Sequence, residues 1–111
     1  MGDRANVFIQ QERDPDGSDE WQGIGIYSHW DGVNLHHTVR DVLPLAKGRI
    51  GDPSYFARIV VQHTLARLAE AESETGFGLW VTHPDDNEHP IMVVNAMTGQ
   101  WWYSDDYRGD Q

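Results

Sequence analysis

The densest run of chemically capable side chains is Ser28, His29, Trp30, Asp31 and Gly32, followed by Asn34, His36 and His37. A serine nucleophile needs an imidazole base on its own side of the backbone. Ser28 and His29 are neighbours in an extended stretch and point to opposite faces, so they make a poor pair. No Gly-x-Ser-x-Gly elbow offers another route to an exposed hydroxyl. Tyr27, His29, Trp30 and Asp31 read instead as the lining of a ligand pocket, since polar groups at a strand end sit on a rigid support.

His29, Asp31, His36, His37, His63, His83, Asp85 and His89 are of ligand type for zinc or iron. Their spacing argues against a site. His36 and His37 are adjacent and diverge by about 100° on a helix, and neither His-x-x-x-His nor His-Glu-x-x-His occurs. His36, His37 and His63 are expected to be solvated helix side chains. Asp85, Asp86, Asn87 and Glu88 lack the alternating register of a calcium loop. Gly23 and Gly25 supply two glycines of a dinucleotide fingerprint but run on into more strand. No metal or other cofactor is predicted.

A second constellation lies at the other end of the chain, in Trp101, Trp102, Tyr103, Asp105, Asp106 and Tyr107. Successive strand residues alternate faces, so one core can absorb one tryptophan of the pair more easily than both. An aromatic anchor flanked by polar residues is typical of a protein interface, and this run is the candidate interaction site.

The 111 residues carry 18 acidic and 8 basic side chains, a formal charge of −10, and no cysteine. Disulfides, thiolate catalysis and Cys-based metal sites are excluded. The charge disfavours direct binding to nucleic acid or anionic lipid. It is also uneven: residues 1–20 hold six acidic and two basic groups, residues 70–111 hold nine and one, and the middle holds three and five. The basic residues Arg40, Lys47, Arg49 and Arg58 could meet a phosphate or an acidic protein, or balance the acidic ends. Neither a signal peptide nor the ~18 consecutive apolar residues of a membrane span is present, and a soluble cytoplasmic protein is the expectation.

Alternation predicts strands over residues 4–11 and 21–30, separated by a polar loop at 12–20 rich in Asp, Pro and Gly. On the second strand Ile24 and Ile26 share one face, and Gly23, Gly25, Tyr27 and His29 the other, the glycines implying a bend or a close neighbour. Asn34 is the expected N-cap of a helix whose apolar stripe is Leu35, Val39, Val42, Leu43 and Ala46, with Pro44 ending its regular part. Asp52 and Pro53 open a second helix reaching about residue 72. Short strands follow at 77–81 and 91–95, and residues 91–103 form a hairpin around Thr98 and Gly99. The tail 104–111 is expected to fray.

The order ββααβββ predicts a single α+β domain over residues 1–111, a mostly antiparallel sheet of about five strands with one face covered by two helices. Aromatics on the other face would form a second apolar surface, either a homodimer interface or a ligand-facing patch.

Three stretches carry a resemblance: residues 1–7 with Met1, Gly2, Asp3, Arg4, Ala5, Asn6 and Val7; residues 27–32 from Tyr27 to Gly32; and Glu74, Thr75, Gly76, Phe77 and Gly78 with Asp86, Asn87 and Glu88. In these the chain resembles small uncharacterised proteins of actinobacteria and their phages. The resemblance spans most of the chain and implies a phage or prophage accessory protein; it transfers no catalytic or binding residue. The expected function is a non-catalytic, acidic protein-interaction module acting on a host or viral protein. The alternative is a small enzyme or ligand-binding protein using Tyr27, His29, Trp30 and Asp31.

Overall fold

In the computed structural model the described residues are 4–13, 21–29, 32–71, 76–81 and 89–104. Five strands, β1 (Ala5–Arg13), β2 (Trp21–Ser28), β3 (Phe77–Trp80), β4 (Ile91–Asn95) and β5 (Trp101–Ser104), form one sheet in the order β3-β2-β1-β4-β5. The pairings β1–β2, β2–β3 and β4–β5 are antiparallel, and β1–β4 is parallel. Between β2 and β3 lie α1 (Gly32–Val42), a 3-10 segment (Leu43–Arg49) and α2 (Pro53–Ala71). The α+β fold, its ββααβββ order and its mostly antiparallel sheet agree with the sequence pattern.

One sheet face carries Ala5, Val7, Ile9, Ile26, Met92 and Val94, all buried against Leu35, Val39, Val42, Phe56, Val60 and Leu68 from the helices. Pro44 sits where the α-helical bonding of α1 gives way to the 3-10 segment, because proline removes the donor the next turn would need. The carbonyl of Asp52 accepts the first bond of α2 from the Phe56 N–H at 2.9 Å, so Asp52 holds the N-cap position.

Three boundaries differ from the sequence reading, the simplest being β2, which ends at Ser28 with His29 in a bend. Strand β1 continues to Arg13, because the register shifts between Gln10 and Glu12 and the extra residue, Gln11, is bulged. The Gln11 side-chain amide donates to the Pro53 carbonyl at 3.4 Å, which ties the bulge to the start of α2. Helix α1 takes Gly32 and Val33 into its first turn, so Asn34 lies within the helix rather than at its cap.

The opposite face has a core of its own: Phe8, Ile91 and Val93 are buried and Trp80 packs against them. The Phe8 and Trp80 rings stack at 5.4 Å with planes 12° apart. The indole lies flat over Gly25, where a Cβ would fall 1.9 Å from Trp80 Cε2. The close neighbour at Gly25 is therefore an aromatic ring, while at Gly23 it is the Ile9 carbonyl; Trp80 Nε1 donates to Asn6 Oδ1 at 2.9 Å.

Gly25→Ala is expected to destabilise the fold by about 1–3 kcal/mol, because the added methyl overpacks a stacked pair. In a Trp80→Ala background the same change should cost much less. Urea denaturation of the four proteins in this cycle measures the coupling, and additive effects would refute the contact as the cause.

Candidate functional site

Strand β5 is placed by its turn. The side-chain oxygen of Asn95 accepts from the N–H groups of Met97 (2.8 Å) and Thr98 (3.2 Å). Gly99 adopts φ +76°, a left-handed conformation that glycine enters freely, and its missing Cβ leaves room for Ile50. The Asn95 N–H donates to the Gln100 carbonyl at 2.8 Å, and the register continues as Val94↔Trp101, Val93↔Trp102 and Met92↔Tyr103. Since Met92 and Val94 face the helices, Trp101 and Tyr103 do so too, while Trp102 joins the opposite face.

None of the three aromatics is buried: Trp101 is 38% exposed, Trp102 41% and Tyr103 46%. The two tryptophans do lie on opposite faces, but neither face encloses its ring. Asp105, Asp106 and Tyr107, expected to share the site, lie outside the described residues.

Helix α1 meets β5 along a seam of rings and cations. Trp101 and Tyr103 pack edge to face at 5.5 Å. The Arg40 guanidinium lies 5.7 Å from the Trp101 ring centroid, within cation–π range, and donates to His37 Nδ1. Arg40 Nε is buried without an acceptor among the described residues. The His36 ring approaches Tyr103 at 5.3 Å and His89 at 6.1 Å.

His36 corrects the sequence reading, which made it a solvated side chain. It is 6% exposed, and its Nε2 donates to the Asn6 carbonyl at 3.4 Å. Burial lowers its pKa from 6.5 to about 4, the positive potential of His89, Arg40 and His37 adds to that, and the bond to Asn6 opposes it. The sequence signal was faint: His36 adjoins Leu35 at the border of the apolar stripe, and only Tyr103 from the far end of the chain closes over it. His37 is exposed as expected, and His63 is half-buried.

Tyr27, near the end of β2, and His29, in the bend that follows, are hydrogen-bonded, Oη to Nδ1, at 2.6 Å. Trp30 and Asp31, the other members of the candidate pocket, lie outside the described residues. A separate open groove of about 370 Å³ runs between α2 and the sheet, floored by Ile24, Ala57 and Val61 and edged by Gln11, Ser54 and Arg58. Three of the basic residues have separate partners. Arg40 is held by Trp101 and His37, Arg49 lies over Tyr55 and 3.7 Å from Asp52, and Arg58 donates to Gln62. Among the described residues no three His, Asp or Glu side chains come close enough to hold a metal ion, and no helix is long and apolar enough to cross a membrane.

No family model, curated protein or solved structure matches the chain. What the geometry itself offers is an edge strand with three consecutive half-exposed aromatics, braced from one side by α1. Such rings supply contact area at little conformational cost, and packing against Arg40 and His36 already orders two of them, Trp101 and Tyr103.

Because His36 is held neutral, its folded pKa lies below its unfolded value, and the unfolded chain binds the extra proton between pH 6.5 and about 4. Stability contributed by the neutral ring is therefore complete above the unfolded pKa and falls as the pH drops through this window, by up to about 1.4 kcal/mol per pH unit. His36→Gln should remove this component of the slope in urea denaturation across the window, and an unchanged slope would refute it.

Proposed function

We propose that this protein is a non-catalytic interaction module, of the phage or prophage accessory kind, that presents β5 to a host or viral protein. The observation that carries the reading is the exposure of Trp101, Trp102 and Tyr103 at consecutive positions of an edge strand. Leaving such rings in water forgoes burial worth about 1.5–3 kcal/mol for a large apolar side chain, and aromatic side chains of this kind dominate the energetics of protein interfaces. Edge backbone groups and side chains on both faces of the strand can be read together by a partner that adds a strand. Asp105 and Asp106 follow β5 immediately in sequence, and the formal charge of −10 favours a basic host or viral surface and speeds its encounter.

A photo-crosslinking aromatic residue in place of Trp102 tests this in host lysate. The expected result is a covalent adduct with another polypeptide that is absent when the same residue replaces Gln62 on α2. Failure to form an adduct at position 102, or equal labelling at both, counts against the module.

The Tyr27–His29 hydrogen bond supports a second reading, a small enzyme or ligand-binding protein with a pocket at Tyr27, His29, Trp30 and Asp31. A bonded phenol and imidazole can position a proton on a ligand. A thermal-shift screen of metals and nucleotides, repeated with His29→Ala, is expected to show a melting shift that the substitution abolishes; no shift from any ligand would retire this alternative.

A further inference from the structure

The hydrogen-bond parity of β5 determines which of its backbone groups face outward. In an antiparallel ladder, residues alternate between pairs that exchange both bonds and pairs whose N–H and C=O groups point away from each other. The Asn95 N–H bonds the Gln100 carbonyl, and the register continues unbroken through Val94↔Trp101, Val93↔Trp102 and Met92↔Tyr103. Trp102 therefore spends its backbone groups on β4, and among the described residues the outer edge of the sheet displays those of Trp101 and Tyr103.

This pattern is self-complementary. If a second copy docks antiparallel with the two-fold axis at Trp102, Trp101 of one copy falls opposite Tyr103 of the other. Both are outward-facing residues, so each pair can exchange both backbone bonds, and each copy donates and accepts at both positions. Trp102 then meets its own equivalent as a non-bonded pair, with Cα atoms about 4.5 Å apart and rings on the same face. On the helix-bearing face the two Trp101–Tyr103 cross-strand pairs are both aromatic. The strand lacks the devices that usually guard an edge: no proline, no lysine and no register shift lies within Trp101–Ser104.

Charge agrees with this register. Arg40 lies over Trp101, and the pairing brings Tyr103 of the other copy beside that ring. In sequence Asp105 and Asp106 follow Ser104, so antiparallel pairing keeps the two acidic runs at opposite ends of the paired strands. Parallel pairing would instead run the two acidic ends side by side.

We infer that the occupant of the β5 edge is a second copy of this chain, paired strand to strand about a two-fold axis at Trp102 to make one continuous sheet with all helices on the same side. This rests on the reading of β5 as an interaction edge and names its occupant; a host or viral partner would then meet the joined sheet.

Light scattering should give twice the chain mass. Because the chain has no cysteine, Trp102→Cys reports the axis directly. The expected Cα separation falls within the roughly 4.4–6.8 Å that a disulfide spans, so mild oxidation should lock a covalent dimer that Met97→Cys, in the exposed turn, does not. Tyr103→Pro removes an outward donor as well as the ring packed on His36 and Trp101 and leaves the β4 ladder whole, so it is read against Tyr103→Ala, which loses the ring and keeps the donor. With a backbone bond lost from each copy, the proline variant should raise the dimer dissociation constant about tenfold or more while circular dichroism stays native.

A wild-type monomer at every attainable concentration overturns the inference. So does a dimer unaffected by Tyr103→Pro, or one locked at position 97 and not at 102. If the protein is monomeric and position 102 still labels a foreign polypeptide, the dimer is wrong and the interaction reading stands; a locked dimer with no foreign adduct gives the converse.

Discussion

Strand β1 has no free side. It pairs antiparallel with β2 along one edge and parallel with β4 along the other, and Ala5, Asn6, Val7, Phe8, Ile9 and Gln10 are all buried. A strand buried on both faces cannot slip, since a shift of one residue would exchange the set Ala5, Val7 and Ile9 for the set Asn6, Phe8 and Gln10 in the helix-facing core. This constraint propagates outward. With β1 in the centre and β4 on its far edge, the hairpin partner of β4 becomes the last strand, and that is why the run Trp101, Trp102 and Tyr103 lies at an edge.

The buried polar groups of β1 connect the two sides of the sheet. Asn6 accepts from Trp80 through its side chain and from His36 through its carbonyl, so one residue serves both the aromatic layer and the helix seam. Gln10 accepts from the Asn95 side chain at 3.3 Å through its own side chain, and from the Ala96 N–H at 2.9 Å through its carbonyl. Asn95 in turn caps the turn that sets the register of β5. The position of the exposed aromatics thus traces back through hydrogen bonds to a buried glutamine in the central strand. Such satisfied polar contacts specify one arrangement, because leaving any member unpaired costs its full desolvation.

Electrostatics follows the same geometry. The Arg40 charge rests on Trp101 and near His37, where it helps hold His36 neutral. Arg49 and Arg58 have other neighbours. Three arginines of the slightly basic middle of the sequence thus have separate partners, and the seam between α1 and β5 receives the Arg40 cation beside exposed rings.

Much of this architecture was legible in the residues alone. The alternation of Ala5, Val7 and Ile9 with Asn6, Phe8 and Gln10 determined which side chains would share a face, and Pro44 and the Asp52 and Pro53 pair marked a helix end and a helix start. The glycines of β2 implied a close neighbour, and Thr98 with Gly99 a hairpin turn. These are local properties, set by backbone sterics and period. Only the tertiary structure decided that β1 and β4 run parallel, that Trp80 is the ring lying on Gly25, that β1 bulges at Gln11, and that His36 is buried beneath Tyr103. Each depends on a contact between residues far apart in the chain, where pairing is selected by the total surface buried and no short-range pattern records it. The same reason governs Trp101, Trp102 and Tyr103: their alternation was evident from sequence, but their exposure follows from β5 being last in the sheet.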